Sequence, residues 1–242
     1  PENVFAMVMA RIDRLSNRAK ECLRVGSVIG MEFPADLVAS VVGRSAREEM
    51  GESVSAGLLF AAALKELEYI FSHMLIRDVA YDSMLREKRR ALHHQVAELL
   101  ERQRAPAAIL AHHCQLAEDW NRALQHMLSA GDRASEEYRN QQAISHFRRA
   151  AEIAAELDGL QVGLSRARLS EGAVLDTLGR YDQALQAYEE VVELKAVAED
   201  WGRAMQGKAQ IHFVRGEFEK ALGIMDQAEA GQSRLGTDGR RI

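Results

Sequence analysis

The sequence predicts a mainly α-helical protein in which a small helix-and-hairpin domain precedes an array of helical hairpins. Three observations support this fold class. The 242 residues include only 3 prolines and 6% aromatic residues. Long stretches are rich in Ala, Leu, Glu, Gln and Arg, which are strong helix formers, whereas β-branched residues are sparse after residue 82. A pattern of glycine, aromatic and alanine residues also recurs in the second half of the chain.

Composition and charge exclude several classes of protein. With 47% hydrophobic and 28% charged residues, the chain is globular and not disordered. Its net charge of −5 argues against nucleic acid as a partner. The longest uncharged run, residues 53–64, is too short for a membrane span, and charged residues interrupt the first apolar stretch as they would not in a signal peptide.

The two cysteines, Cys22 and Cys114, are far apart in sequence, which is typical of reduced thiols and not of a disulfide framework. We therefore expect a cytoplasmic location and no membrane partner. Because the sequence starts at Pro1 and not at a methionine, we interpret the chain as a piece of a longer protein.

The first third of the chain predicts four helices followed by two short strands. Phe33-Pro34 opens the third helix, with proline at a tolerated first-turn position, and Gly43 ends it. A Lys65-Glu66 turn joins the strands into a small β-wing. The predicted elements are helices at 4–15, 17–29, 33–42 and 44–55 and strands at 58–62 and 67–71. Three helices followed by a hairpin is the order of a winged helix, so we predict a winged-helix-like domain at residues 1–85 with an N-terminal lid helix.

Three segments of the second half share one pattern. Their alanines, Ala143, Ala184 and Ala221, lie 41 and 37 residues apart, and each belongs to an apolar stripe with helical spacing. A glycine two residues before the opening aromatic, Gly179 or Gly216, allows the preceding helix to end. The small alanine allows two helices to approach closely.

Antiparallel helix pairs at this period resemble tetratricopeptide repeats. The matching residues are Gly172, Gly179, Tyr181, Ala184 and Tyr188 in one copy; Ala209, Gly216, Phe218, Ala221 and Ala228 in the next; and Gly131, Ala143, Phe147 and Ala150 in an earlier one. The large aromatic early in each first helix and the closing proline are missing. We predict an α-solenoid of tetratricopeptide-like hairpins at residues 120–242 and a connecting helical hairpin at 86–119. The alternative is a generic helical bundle.

Ordered motifs along residues 1–155 carry a second resemblance. They are Ala10-Arg-Ile-Asp-Arg-Leu15, Val28-Ile-Gly30 with Phe33, Tyr69-Ile-Phe-Ser-His73 continuing to Tyr81, Arg89-Arg90-Ala-Leu-His93, and Leu110-Ala-His112. This order resembles the region after the nucleotide-binding domain of bacterial signal-transduction ATPases with numerous domains (STAND ATPases). In the closest branch, the ATPase is fused to an adenylate/guanylate cyclase domain or a LuxR-type output. The resemblance implies a parent protein that uses ATP and ADP with Mg²⁺; the ATPase and cyclase domains are not in this chain.

The same resemblance singles out His73. It lies where the wing strand turns into the next helix, as does the histidine of a Met-His-Asp motif that contacts bound ADP in related nucleotide-driven switches. This sequence has Met74 where that motif has Asp. An imidazole N–H at a helix N-terminus can donate to a phosphate oxygen, so His73 is a candidate ADP-phosphate sensor in the full-length parent. The alternative is a buried histidine bonded to a backbone carbonyl.

No catalytic residues and no metal site are predicted. Residues 202–209 have the glycine and lysine spacing of a phosphate loop, but Ala209 replaces the Ser/Thr that binds Mg²⁺, and a helix is expected there. The pairs His93-His94 and His112-His113 are adjacent residues, which diverge on a helix and lack the i, i+4 spacing of zinc ligands. The resemblance to STAND ATPases implies that His93 and His112 are packing residues.

A DNA-binding hypothesis depends on the helix-turn-helix order of residues 34–56. Its second helix carries Arg44 and Arg47 but also three carboxylates, Glu48, Glu49 and Glu52, which oppose binding to phosphates. The basic run Arg86, Lys88, Arg89 and Arg90 is more typical of a domain contact or a solvated face.

Together these inferences predict the non-catalytic regulatory and protein-interaction region of a multidomain signalling ATPase. The expected partners are the upstream ATPase domain of the same chain and an unidentified protein or peptide on the concave surface of the repeat array. Two alternatives stay open: the central region of a LuxR-type transcription regulator, and a free-standing tetratricopeptide-repeat adaptor.

Overall fold

A computed structural model describes residues 2–62, 68–157 and 159–238, with side chains described within residues 4–231 of these ranges. The fold is mainly helical, as the sequence predicts. The chain forms two compact units: residues 1–105 with 112–119, and residues 106–111 with 120–242. The domain boundaries after residues 85 and 119 stay a prediction.

The first unit contains a three-stranded antiparallel sheet among helices. Its elements are α1 (Glu2–Asp13), α2 (Asn17–Ile29), β1 (Glu32–Pro34), α3 (Ala35–Val42), α4 (Arg47–Ser55), β2 (Leu59–Ala61), β3 (Glu68–Phe71), α5 (Met74–Asp82) and α6 (Arg86–Arg102). The strand order is β1-β3-β2, so β3 is central. Phe33 pairs with Tyr69 and Leu59 pairs with Phe71. Helix α7 (Ala107–Leu116) is divided between the two units.

The core of the first unit is centred on Phe33. Its side chain is 1% exposed, and its ring centroid lies 5.5 Å from that of Phe71. The ring also fills the space beside Gly26 of α2, where a Cβ would lie 2.5 Å from Phe33 Cζ. Close packing of this kind fixes α2 over the sheet, because neither the ring nor the helix backbone has room to shift.

The structure corrects the prediction that Phe33-Pro34 begins the third helix. Both residues belong to β1, which pairs with β3 only, and α3 begins one residue after Pro34. An edge strand tolerates proline because its missing N–H is not needed for a second neighbour. The fourth helix begins at Arg47 and not at residue 44. The predicted Lys65-Glu66 turn lies outside the described residues.

Six consecutive helices make up most of the second unit. They are α8 (Trp120–Glu136), α9 (Asn140–Ala155), α10 (Gln161–Thr177), α11 (Tyr181–Leu194), α12 (Ala198–Val214) and α13 (Phe218–Asp238). Each helix packs against the next, and α10 also contacts α8 and α12. The helices therefore pair into successive hairpins whose first helices, α8, α10 and α12, lie side by side.

The hairpin turns depend on a left-handed residue. Gly179 and Gly216 have φ of 70° and 77°, so both glycines end the preceding helix as predicted. In the first hairpin the same position is occupied by Tyr138, with φ of 57°. A tyrosine in this conformation is strained because its Cβ crowds the backbone. Ala184 and Ala221, the alanines of the pattern, are 0% and 7% exposed.

Candidate functional site

His73 is the N-cap residue of α5 and is exposed. Its Nδ1 atom accepts a hydrogen bond from the Leu75 backbone N–H at 3.1 Å. Because Nδ1 is the acceptor, a neutral ring carries its proton on Nε2. His73 is therefore not buried against a carbonyl, the alternative considered from the sequence, and it lies at a helix N-terminus. Its role as a phosphate sensor stays a prediction.

A chain of three polar side chains lies between α5, α6 and α7, with His93 and His113 buried and Tyr81 half-buried. The Tyr81 hydroxyl lies 3.0 Å from His93 Nε2, and His93 Nδ1 lies 2.9 Å from His113 Nδ1. Burial, reinforced by neighbouring histidines, lowers the pKa of His93 to about 3 and that of His113 to about 4. Both rings are therefore neutral near pH 7, and one donates its Nδ1 proton to the other. His93 is a packing residue as predicted, but the second packing histidine is His113, since His112 is exposed.

The remaining candidate ligands do not assemble into a metal site. Within the part of the chain that the structure describes, no three His, Cys, Asp or Glu side chains are placed to hold a metal ion. Cys22 and Cys114 are both buried and are not joined in a disulfide. Among the described helices, none combines the length and apolar character needed to cross a membrane.

Carboxylates pair with four of the basic residues in these two segments, Arg44, Arg86, Arg89 and Arg90. Arg44 contacts Glu21 at 3.0 Å and Glu49 at 2.5 Å. In the run at 86–90, Arg86 and Arg90 both pair with Glu118, and Arg89 lies 3.0 Å from Asp82. These arginines therefore connect elements of the first unit. Internal pairing of this kind leaves little uncompensated positive charge for a phosphate backbone.

The segment with phosphate-loop spacing is helical. Residues 202–209 lie within α12, where backbone N–H groups bond along the helix and cannot surround a phosphate. Gly207 has a packing role instead: a Cβ at this position would lie 2.5 Å from Tyr188 Cε2. Tyr188 is 4% exposed and packs on its other side against Gly172. The two glycines thus hold one tyrosine ring between α10 and α12.

The strongest candidate site is a groove between α8 and α10, the first helices of two successive hairpins. It has a volume of about 580 Å³, and Phe147 forms part of its wall. The other residues that line it are mostly polar: Asp132, Ser135, Glu136, Tyr138, Asn140, Arg166, Ser170, Ala173, Val174 and Thr177. Asp132 and Arg166 form an ion pair of 3.0 Å between the two helices. The groove therefore offers hydroxyl groups and carboxylates to a ligand.

A buried carboxylate on α10 takes part in an ion-pair network with the two neighbouring helices, α9 and α11. Glu171 of α10 is 3% exposed and contacts Arg148 of α9 at 2.6 Å and Arg168 at 2.8 Å. Arg168 also lies 2.6 Å from Glu190 of α11. This network connects three consecutive helices. The sequence gives no signal for it, because Glu171 has the same local context as the solvated acids around it.

Comparison with protein families identifies part of this array. Residues 136–196, from the end of α8 to just beyond α11, match the family model described as Tetratricopeptide repeat. The match confirms tetratricopeptide-like hairpins in this segment. It indicates a protein-interaction role for the array, whose fold is typically non-catalytic.

Solved structures with a similar fold have low sequence identity to this chain. MamA is 15% identical with a TM-score of 0.42, over 63% of this chain and 95% of MamA. BtubC (BKLC) from P. vanneervenii is 13% identical with a TM-score of 0.43, over 84% and 90%. A STAND protein with a tetratricopeptide repeat sensor from Pyrococcus horikoshii is 14% identical with a TM-score of 0.38, over 97% and 46%. No curated protein matches the chain.

Proposed function

We propose that this chain is the non-catalytic regulatory and protein-interaction region of a multidomain signalling ATPase. The observation that carries the proposal is the polar groove between α8 and α10, most of whose lining lies within the segment that matches tetratricopeptide repeats. Stacked hairpins present extended surfaces of this kind because each repeat contacts only its neighbours. The ordered motifs of residues 1–155 support the link to a STAND-type parent.

In this proposal the first unit is a winged helix that contacts the upstream ATPase domain of the same protein. The order α2, β1, α3, α4, β2, β3, with β3 central, supports a winged helix. His73, at the N-terminus of α5, contacts an ADP phosphate in the parent, which uses ATP and ADP with Mg²⁺. The parent is a cytoplasmic protein, and α1 acts as a lid helix.

The groove binds a polar, extended segment of a partner protein. Ser135 and Ser170 offer hydroxyl groups that can bond to a peptide backbone, and the Thr177 hydroxyl, which donates to the Ala173 carbonyl at 2.9 Å, can still accept a hydrogen bond. Asp132 and Glu136 carry more negative charge than Arg166 neutralises. We therefore expect the bound segment to contain a lysine or arginine.

The test selects peptides from a random displayed library against the whole chain and measures their affinity by fluorescence anisotropy. Ala173→Arg places a long cation in the groove and should weaken binding at least about tenfold, or by 1.4 kcal/mol. Ala155→Arg, at an exposed alanine near the end of α9, is the matched control and should not change the affinity. Peptides whose binding tolerates Ala173→Arg would contradict the groove as the site.

Coupling to nucleotide is tested in the full-length parent with the same two variants. We expect Ala173→Arg to abolish the response of the ATPase rate to the selected peptide, with Ala155→Arg unchanged. If the ATPase rate does not respond to any groove-binding peptide, the chain is a simple adaptor and not a regulatory region.

A further inference from the structure

The last helix of the array carries an uncovered apolar stripe. Phe218, Leu222 and Met225 of α13, here called the terminal stripe, are 56%, 65% and 49% exposed. Their spacing of four and three residues places them on one face of the helix. Contiguous exposed apolar side chains of this size are unusual unless they form an interaction surface.

The corresponding residues of α11, 37 positions earlier, are covered. Tyr181 and Leu185 are half-buried against the core of the unit, and Tyr188 is 4% exposed. The covering element is α12, whose Gly207 lies against the Tyr188 ring. The face that α13 leaves exposed is therefore the one that α11 uses to pack against the next hairpin.

The first hairpin shows the same arrangement. Ile144 and Phe147 of α9 correspond to Leu222 and Met225, and they are 0% and 1% exposed. Helix α10 packs against α9, and its Ser170 lines the same groove as Phe147. Ser170 occupies the position of Gly207 in the next hairpin. The covering helix thus has a small residue at the equivalent position in both cases.

We propose that the terminal stripe binds one further helix of the same kind as α12. This helix is amphipathic and presents a glycine, alanine or serine opposite Met225, as the first helix of another helical hairpin. The argument depends on continuity with the two interfaces formed inside this chain, at α9–α10 and α11–α12. The site goes beyond the proposed function because it uses the end of the array and not the groove.

The experiment uses a fluorescent synthetic peptide of residues 196–217, which contains α12, as the probe for the whole chain. A short helix is marginally stable alone, so folding the peptide costs part of the binding free energy. We therefore expect weak but saturable binding, with a Kd below about 1 mM. Leu222→Lys and Met225→Lys in the chain should each weaken binding at least about tenfold. Val162→Lys, at a residue of α10 that is 59% exposed, is the matched control and should leave binding unchanged.

Two variants of the probe test the small residue. Gly207→Leu in the peptide should abolish binding, because the leucine would occupy the space opposite Met225. Gln210→Leu adds the same side chain at an exposed position of α12 and should preserve binding. Equal affinities of the two peptides would overturn the proposal, because the probe would then need no small residue opposite Met225.

Sedimentation of the chain without peptide tests whether a second copy of the chain occupies the terminal stripe instead. A dimer that Leu222→Lys converts to a monomer would assign the terminal stripe to a second copy and overturn the proposal. A monomeric chain that binds no peptide, or binds it equally after Met225→Lys, would overturn it as well. Since Leu222 and Met225 are exposed, circular dichroism should show an unchanged fold in each of the two lysine variants of the stripe.

Discussion

Tyr188 is enclosed by glycines on two helices, and this makes a sharp prediction for Gly207. Replacing glycine by alanine in a helix interior usually stabilises by about 0.5–1 kcal/mol. At Gly207, however, the new Cβ would lie 2.5 Å from the Tyr188 ring, which cannot retreat because Gly172 is on its other side. We expect Gly207→Ala to lower the free energy of unfolding by about 1–3 kcal/mol, measured by urea denaturation.

Gly223 provides the matched control. It also lies in a helix interior, in α13, and a Cβ there would meet no atom within 4 Å. Gly223→Ala should therefore stabilise the chain by about 0.5–1 kcal/mol. If the two variants change stability in the same direction, the packing of Tyr188 between α10 and α12 is not as described.

Tyr138 is the residue where a stabilising change is expected. It has φ of 57° at the position where the next two hairpins have glycine, and its side chain is 88% exposed. Tyr138→Gly should remove the left-handed strain at the cost of few contacts and raise the free energy of unfolding by about 1 kcal/mol. Tyr138→Ala keeps the Cβ and should bring no gain. A Tyr138→Gly protein that melts no higher than Tyr138→Ala would contradict this account.

At the scale of elements, Ala184 determines how closely α11 approaches its neighbours. It is 0% exposed in the core of the second unit. Ala184→Leu should overpack this contact and lower the free energy of unfolding by about 1–3 kcal/mol. Ala155→Leu, at an exposed alanine of α9, should change the free energy of unfolding by no more than about 0.5 kcal/mol. If both variants melt within a degree of the unsubstituted protein, Ala184 does not lie at a close contact between helices.

The element scale also shows what sequence patterns can and cannot predict. Long amphipathic helices were predictable because their apolar residues repeat over three or more turns, and α2 begins and ends where the pattern does. Strand β1 was missed because three residues are too few to show alternation; it forms because the edge of β3 is available and Phe33 packs beside Gly26. Propensity cannot reveal such a tertiary cause.

The candidate site divides in the same way. Repeat spacing predicts a concave surface on the array but does not say which residues line it, and the expected position of His73 at a helix N-terminus agrees with its place at the start of α5. The residues that line the groove could not be identified, because their polar character is that of any solvated helix face. Gly207 was a candidate for a phosphate loop by spacing, although its role is to accept the Tyr188 ring. Residue spacing alone does not distinguish a loop from a packed helix.

The buried histidines predict how acid acts on the whole molecule. The pKa values of His93 and His113, about 3 and about 4, are below the ordinary imidazole value of about 6.5 expected after unfolding. Between these values the unfolded chain binds more protons than the folded chain. The free energy of unfolding therefore falls as the pH falls from about 6.5 towards 4, by up to about 1.4 kcal/mol per pH unit for each histidine.

His113→Asn tests this pH dependence, since an amide can bond to His93 Nδ1 without titrating. The slope of unfolding free energy against pH, measured by circular dichroism, should become smaller between pH 6.5 and 4. Both tryptophans, Trp120 and Trp201, lie in the second unit, so their fluorescence monitors that unit separately. An unchanged slope in His113→Asn would show that other groups control acid unfolding.

The role proposed for His73 belongs to the proposed parent protein and requires two substitutions to test. Its Nδ1 caps α5 through Leu75, so His73→Ala removes both the cap and the imidazole. His73→Asn can keep the cap, because asparagine is a favoured N-cap residue, but it removes the Nε2 donor.

If His73 donates a hydrogen bond to an ADP phosphate, both variants should release a fluorescent ADP analogue faster. The expected loss is about 1–3 kcal/mol, because the bond joins a donor to a charged oxygen. A capping role alone predicts faster release in His73→Ala and a normal rate in His73→Asn. Circular dichroism of both variants controls for unfolding, and a normal ADP release rate in His73→Asn would leave this residue with a structural role only.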